Sequence, residues 1–299
     1  MSYRLGLNTG FAVNRYSDPM SWCKLVNKCE LNYVQLTADL INPSLPNYII
    51  DEQIKQINYW KKKFQIQITS TFTGAFTRLN HLTHPDKNIR LYWLKWFKKF
   101  ADITVRLECD TMGSHFGILT AKDYNSKLIF EEMKNEAINS WHEIGRYGKK
   151  IGLKQILWEP MSVGREFGET IEKCTKLQDE LNQNSPIPIK ICLDVDHGDI
   201  SSVNSDDYNP YKWLEKFCDQ SPVIHLKQSS NNKSGHWPFT KEYNKTGKII
   251  PQKILNILKQ NKISKVDLIL ELSFKEREPW DSSIESSLIE SVKYWKKYL

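Results

Sequence analysis

The chain has 299 residues, of which 40% are hydrophobic, so it can bury a full core and has the length of two ordinary domains or of one (β/α)8 barrel. Its formal net charge of +7 favours anionic partners, but much of the excess lies in helix-like runs such as residues 60–63 and 295–297, which indicates a solvated outer face rather than a nucleic-acid groove. No apolar run approaches the ~20 residues that a bilayer span needs, which argues against a membrane protein.

Short apolar segments alternate with helical patterns from one end of the chain to the other. The predicted strands are residues 4–8, 33–36, 66–72, 110–112, 156–158, 190–193, 223–226 and 268–270. The helical patterns cover residues 17–30, 51–64, 85–105, 125–150, 168–183, 210–219, 251–260 and 282–298. Eight strands alternating with eight helices predict a parallel sheet closed into a (β/α)8 TIM barrel. The alternative, an open doubly wound sheet, usually carries a glycine fingerprint after its first strand, and Gly6 and Gly10 do not match that spacing.

The organisation of the chain points to one domain in a reducing compartment. No linker rich in Pro, Gly or Ser divides it, so we expect residues 1–299 to form a single domain. The first residues show no signal-peptide pattern, and the six cysteines occur without a CxxC pair. These observations predict free thiols and a cytoplasmic location.

Three segments have features beyond those of the regular strands and helices of a barrel. The third predicted helix carries Tyr92, Trp93 and Trp96 beside its apolar stripe, which widens the surface that faces the core or, alternatively, forms a contact in a homo-oligomer. The glycines of GSHFG predict a tight turn around His115. Residues 229–248 are the longest irregular stretch, and their aromatic content favours an ordered flap over a site.

Four consecutive predicted strands each end in an oxygen or imidazole ligand: Glu159, Asp194, His225 and Glu271. Any one of them alone is more often a cap, an ion-pair partner or a loop residue. In a barrel, however, the carboxyl ends of the strands face one basin, so the four side chains are expected to meet. Three carboxylates and one imidazole suit one Mn²⁺, Mg²⁺ or Co²⁺ ion, and the ligand types also allow Zn²⁺. A Lewis acid between two glutamates that take and return a proton suits isomerisation of a sugar.

The order of these motifs resembles the xylose isomerase-like TIM-barrel superfamily, and more narrowly the ketose 3-epimerases. The matching motifs are Glu159, LDVDH with Asp194 and His197, IH with His225, and LELS with Glu271. The resemblance implies one divalent metal, most often Mn²⁺, held by the four strand-end residues. It also implies that Glu159 and Glu271 act as acid and base on opposite faces of C3, while His197 holds a substrate oxygen.

The segments GSHFGILTAKDY, WEPMSVGREFGETIE and HWPFT are similar to a sugar-phosphate branch of these epimerases. Free-ketose epimerases carry a glutamate where this chain has Arg165, and an arginine where it has Asn231. Since a guanidinium suits a phosphate, the expected substrate is a small phosphorylated ketose such as erythrulose 1-phosphate. Arg165 is the leading phosphate contact, or alternatively a surface ion-pair partner of a neighbouring glutamate. The lesser candidates are Lys227, Lys233 and His236.

Two other functions stay open at this point. His115 occupies the place of a metal-bridging histidine in the endonuclease IV branch, which cleaves DNA at abasic sites with three zinc ions. This chain lacks two further ligands of that branch, because Thr71 and Phe72 end the third strand and Ser234 precedes Gly235 and His236. His115 is then a substrate-pocket residue or a structural turn residue. The non-enzymatic alternative is a barrel that only binds a sugar phosphate, and epimerisation cannot be separated from aldose-ketose isomerisation by sequence.

Overall fold

Eight parallel strands close into a barrel in the computed structural model, which describes residues 2–230 and 233–299. The barrel strands are β1 (Ser2–Asn8), β2 (Tyr33–Thr37), β3 (Gln67–Phe72), β4 (Thr111–His115), β5 (Gln155–Glu159), β6 (Ile189–Asp194), β7 (Val223–Leu226) and β10 (Lys265–Leu270). Around the ring they follow chain order, and β10 closes against β1 through the register Leu5 with Leu268. Strands β8 (Gln228–Ser230) and β9 (Lys233–Trp237) form a separate antiparallel hairpin. The predicted TIM barrel is therefore confirmed.

Helices connect the strands on the outside of the barrel. They are α1 (Pro19–Lys28), α2 (Asn47–Lys63), α3 (Lys87–Arg106), α4 (Ala121–Tyr124), α5 (Lys127–Ile151), α6 (Ile171–Asn182), α7 (Pro210–Phe217), α8 (Lys241–Asn244), α9 (Pro251–Gln260) and α10 (Trp280–Lys296). Local signals set their ends: the Asp18 side chain accepts a hydrogen bond from the Ser21 amide at the start of α1, and Gly152 ends α5 with φ at 108°. Among the described residues, none of these helices is long and apolar enough to cross a membrane.

The core has two layers, as the fold requires. A small cluster fills the inside of the barrel and consists of Phe72, Leu157, Cys192, Val223 and Ile269. A much larger cluster lies between the strands and the surrounding helices, where Trp96 and Phe97 of α3 are buried while Tyr92 is exposed. The inner layer closes the barrel below the carboxyl ends of the strands, so ligands reach only the upper basin.

Two loop predictions need comment. The predicted tight turn around His115 is wrong, because β4 continues through Gly113 and ends at His115 itself. Gly113 is required by close packing, since a Cβ atom there would lie 2.3 Å from Cε2 of Phe72. The predicted flap at residues 229–248 contains most of the β8–β9 hairpin and α8, and it carries His236 to the rim of the barrel. Asn231 lies outside the described residues, as does the side chain of Lys233.

Candidate active site

The structure brings the four strand-end ligands together. Glu159 and Asp194 are the last residues of β5 and β6, and Glu271 directly follows β10. His225 of β7 is in register with Asp194 on one side and with Ile269 on the other, which sets its ring at the level of the carboxylates. One ligand atom from each of the four residues lies within 4.8 Å of the others.

The donor set fits a divalent cation. Glu159, Asp194 and His225 are buried, and Glu271 is partly buried. Oδ2 of Asp194 and Oε2 of Glu271 are buried without a hydrogen-bond partner of proper alignment, although both lie near positive groups. Buried carboxylate oxygens without hydrogen bonds are costly unless a cation coordinates them. The cluster can therefore hold one metal ion. Its three carboxylates and one imidazole suit a hard divalent cation, which prefers oxygen ligands.

Lys227, which directly follows β7, lies beside this cluster. Its side chain is fully buried, and its Nζ atom is 2.6 Å from Oδ2 of Asp194, an ion pair without hydrogen-bond alignment. Burial by itself disfavours the ammonium, but the carboxylates of Asp194 and Glu271 raise the pKa of Lys227 above its ordinary value. Lys227 does not line the pocket above, so the structure places it as a fixed counter-charge of the cluster.

Two histidines surround the Lys227 ammonium. It lies 3.2 Å from Nε2 of His197 and 3.0 Å from Nε2 of His236, and because an ammonium only donates, both ring nitrogens accept. Nδ1–H of His197 then donates to the Pro160 carbonyl at 3.1 Å. Nδ1 of His236 is 3.3 Å from Oε2 of Glu271. Both rings are thus held in one orientation, and both line the pocket.

A pocket of about 340 Å³ opens above the cluster. Its floor contains Glu159, Glu271 and His115, and its wall includes Arg15 and Arg78. The volume lies in the range of sites for small molecules. A basin with carboxylates below and guanidinium groups at the wall suits a small substrate with one anionic end.

His115 is a neutral group inside this pocket. It is 2% exposed, and its Nε2 atom is buried without a hydrogen-bond partner. Burial, together with the positive charge of Arg78, lowers the pKa of His115 to about 3, so the imidazole is neutral at physiological pH. An unpaired ring nitrogen in a pocket is free to hydrogen-bond an oxygen of a ligand.

Arg165 lies at the edge of the site and not on the pocket wall. Its guanidinium is 3.4 Å from the Leu119 carbonyl and 3.3 Å from Oε1 of Glu166. The other oxygen of Glu166 accepts from Arg78 at 2.6 Å, so one buried carboxylate bridges two arginines. Of the two, Arg78 lines the pocket. Sequence reasoning missed Arg78 because it lies in the irregular segment between β3 and α3, where no periodic pattern marks a residue.

Comparison with known proteins agrees with this architecture. A family model described as "Xylose isomerase-like TIM barrel" matches residues 23–298. The chain is 40% identical, over all of its length and 97% of the relative, to the D-erythrulose 1-phosphate 3-epimerase of Brucella abortus (strain 2308). A solved putative xylose isomerase from Rhodospirillum rubrum superposes with a TM-score of 0.91 at 25% identity, with full coverage of both chains.

A more distant structure shares the fold alone. The D-psicose 3-epimerase of Clostridium cellulolyticum H10 superposes with a TM-score of 0.71 at 14% identity, over 99% of this chain and 98% of that one. The family match covers far more than half of the chain, and the curated relative is an epimerase that aligns from end to end. The chain therefore belongs to the xylose isomerase-like TIM barrel family and is an enzyme of the isomerase class.

Proposed function

We propose that the protein is a metal-dependent 3-epimerase of a small ketose phosphate such as erythrulose 1-phosphate, with Mn²⁺ as the preferred ion. The observation that carries the proposal is the convergence of Glu159, Asp194, His225 and Glu271 within 4.8 Å at the floor of a pocket with arginines on its wall. The name of the curated relative supports both the reaction and the phosphorylated substrate.

The two glutamates are the proposed acid and base. Glu159 ends β5 and Glu271 follows β10, and in the ring β6 and β7 separate these strands, so the carboxylates approach the pocket from different sides. One removes the proton at C3 to leave an enediolate, and the other returns a proton to the opposite face. A bound divalent cation would supply Lewis acidity toward the substrate oxygens and thereby make the C3 proton more acidic.

The charge state of Glu271 suits a proton acceptor. Burial raises the pKa of this carboxyl, but the nearby His225, His236 and Lys227 lower it well below its ordinary value. Glu271 is therefore ionised at neutral pH. The His236 ring, whose Nδ1 lies 3.3 Å from Oε2 of Glu271, faces the carboxylate at the pocket floor, where C3 of a bound ketose would lie.

The remaining polar groups are assigned to substrate oxygens and to the phosphate. His115 and His197 line the pocket and would contact hydroxyl or carbonyl oxygens, with His236 beside them. The phosphate would bind at the wall beside Arg78, with Arg165 at the edge of the site as a second guanidinium. Two guanidinium groups share the single carboxylate of Glu166, which leaves a net positive charge for the anion. Lys227, a lesser phosphate candidate by sequence, would act on the cluster through its charge.

The proposal is tested by solvent exchange. The Mn²⁺-loaded protein is incubated with erythrulose 1-phosphate in deuterated water, and deuterium at C3 with inversion at that carbon is the expected result. Glu159→Gln and Glu271→Gln should each slow exchange by about 10²–10⁴-fold, because each loses its acid–base group. Glu143→Gln, which changes a glutamate paired with Lys98 on the outer helices, is the matched control. Absence of deuterium at C3 would refute the reaction, and a product with its carbonyl moved from C2 to C3 would replace epimerisation by isomerisation.

The nuclease alternative has less support. Within the part of the chain that the structure describes, the four-residue cluster is the one group of His, Cys, Asp and Glu with the geometry of a metal site, whereas the endonuclease IV branch needs three zinc ions. Incision of abasic-site DNA by the zinc-loaded protein would nevertheless support the nuclease function. If the protein only binds the sugar phosphate, binding should be measurable while no deuterium enters C3.

A further inference from the structure

A chain of buried amides connects the first two strands of the barrel to the metal-site histidine. Gln35 of β2 is fully buried, and its Oε1 atom lies 2.7 Å from Nε2 of His225 on β7. Strands β2 and β7 are not neighbours, since β1 and β10 separate them in the ring. The contact therefore crosses the barrel interior, and nothing in the acid–base chemistry proposed above uses it.

The hydrogen-bond network fixes which way the Gln35 amide points. The Gly10 amide donates to Oδ1 of Asn8 at 2.7 Å, so the NH2 group of Asn8 is directed at Gln35 and donates to its Oε1 at 2.8 Å. The NH2 group of Gln35 donates to the Ser70 hydroxyl at 3.1 Å. A flipped Gln35 would set its NH2 against the NH2 of Asn8, two donors in a buried space, so the observed orientation is enforced.

This orientation determines where His225 keeps its hydrogen. Oε1 of Gln35 can only accept, so Nε2 of His225 must donate to it, and the Cys192 sulfur at 3.2 Å is a second, weaker neighbour of the same nitrogen. Whether the ring is neutral or charged, Nε2 retains its hydrogen. The lone pair that the ring can offer to a cation is then on Nδ1, which lies 3.0 Å from Oε1 of Glu159 and 3.6 Å from Oε2 of Glu271.

We propose that Gln35 is a positioning residue that holds His225 in its Nε2–H form and thereby presents Nδ1 to the metal. The inference rests on the metal site of the proposed function and adds a partner for its one nitrogen ligand. Groups that hold the second ring nitrogen of a ligating histidine typically change metal affinity by about 10–100-fold when they are lost. Asn8 and Ser70 act one step further away, because they orient the amide and do not touch the ring.

The test measures metal affinity and tautomer, not turnover. Gln35→Met keeps the side-chain length but removes the acceptor, and it is expected to weaken Mn²⁺ binding in calorimetry by about 10–100-fold. Gln35→Glu keeps an acceptor toward Nε2 and should retain binding within a few-fold of the parent. Gln178→Met is the matched control. Gln178 of α6 is another buried glutamine, which bonds Trp158 and the Ile189 carbonyl and has no hydrogen bond to any of the four ligands, so its loss should leave Mn²⁺ affinity unchanged.

A second measurement on the unaltered protein covers the case in which Gln35→Met does not fold. In the zinc-loaded parent with nitrogen-15-labelled histidine, His225 should show a hydrogen on Nε2 and coordination through Nδ1. Coordination through Nε2, or a Gln35→Met affinity within twofold of the parent, would overturn the inference and leave the proposed function standing. A parent protein that binds neither Mn²⁺ nor Zn²⁺ would overturn both.

Discussion

Lys227→Met would leave the carboxylates of the metal cluster without their buried counter-charge. The Lys227 side chain is fully buried, and its ion-pair partner Asp194 is 1% exposed, so water cannot replace the missing ammonium. Removal of one partner from a buried ion pair costs about 3–5 kcal/mol. At roughly 2 °C for each kcal/mol in a domain of this size, the metal-free variant should melt about 6–10 °C below the metal-free parent.

The same variant should respond more strongly to metal. A ligand at 100 times its Kd stabilises a folded protein by about 2.7 kcal/mol, and tighter binding at the same concentration stabilises it more. Without the Lys227 ammonium, the neighbouring carboxylates attract a divalent cation without competition from a fixed positive charge. Added Mn²⁺ should therefore raise the melting temperature of Lys227→Met by more degrees than that of the parent.

The assay is a thermal melt of both proteins with and without Mn²⁺, and Lys134→Met is the matched control. Lys134 is also buried, but the carboxylates that it pairs with, Glu131 and Glu180, are 45% and 28% exposed and can be hydrated when the lysine is lost. Its replacement should cost less and should not change the response to Mn²⁺. The reasoning fails if both variants melt together, or if Mn²⁺ shifts Lys227→Met no further than the parent.

Three further results are expected at the pocket. Arg78→Gln should raise KM for the ketose phosphate by about 10–100-fold with little change in kcat, because a charged hydrogen bond to the phosphate is worth about 1.5–3 kcal/mol. An equal rise in KM for an unphosphorylated ketose would contradict that role. His115→Phe should weaken substrate binding by the same factor at every pH from 5 to 9, because the pKa of His115 is lowered to about 3 and the ring does not titrate in that range. A loss of binding confined to one side of that range would show a charged role. Exhaustive chelation should abolish C3 exchange and added Mn²⁺ should restore it; full exchange after verified metal removal would rule out metal dependence.

The barrel was predictable because its signal repeats. Eight apolar segments alternate with eight helical patterns, and each local pattern agrees with the same closed parallel sheet. The predicted ends of elements were less accurate where a residue type has two possible structural reasons. Gly113 is an example: a glycine predicts a turn, but here it lets β4 pass close to Phe72 inside the barrel, so the strand continues to His115. The chain itself does not mark which of the two causes applies.

The convergence of the four candidate metal ligands was predictable for a related reason. A polar residue at the end of an apolar strand has a position that is determined by the strand, and four such positions at one rim converge. Gln35 is at the middle of β2 and Arg78 is in a loop, so neither position carries that constraint. The roles proposed for them follow only from the contacts with His225 and Glu166 that the structure shows.

The charges around the cluster explain why the site suits a divalent ion and why the anionic end of the proposed substrate would bind elsewhere. Glu159, Asp194 and Glu271 contribute three negative charges and Lys227 one positive charge, which leaves two to be neutralised in a largely buried space. A divalent cation balances them, whereas a monovalent ion would leave a buried charge at high cost. Because the balanced floor would then offer no surplus positive charge, the phosphate of the proposed substrate would need a counter-charge at the pocket wall. In the proposed function Arg78 on the wall would provide it, together with Arg165, which shares Glu166 with Arg78.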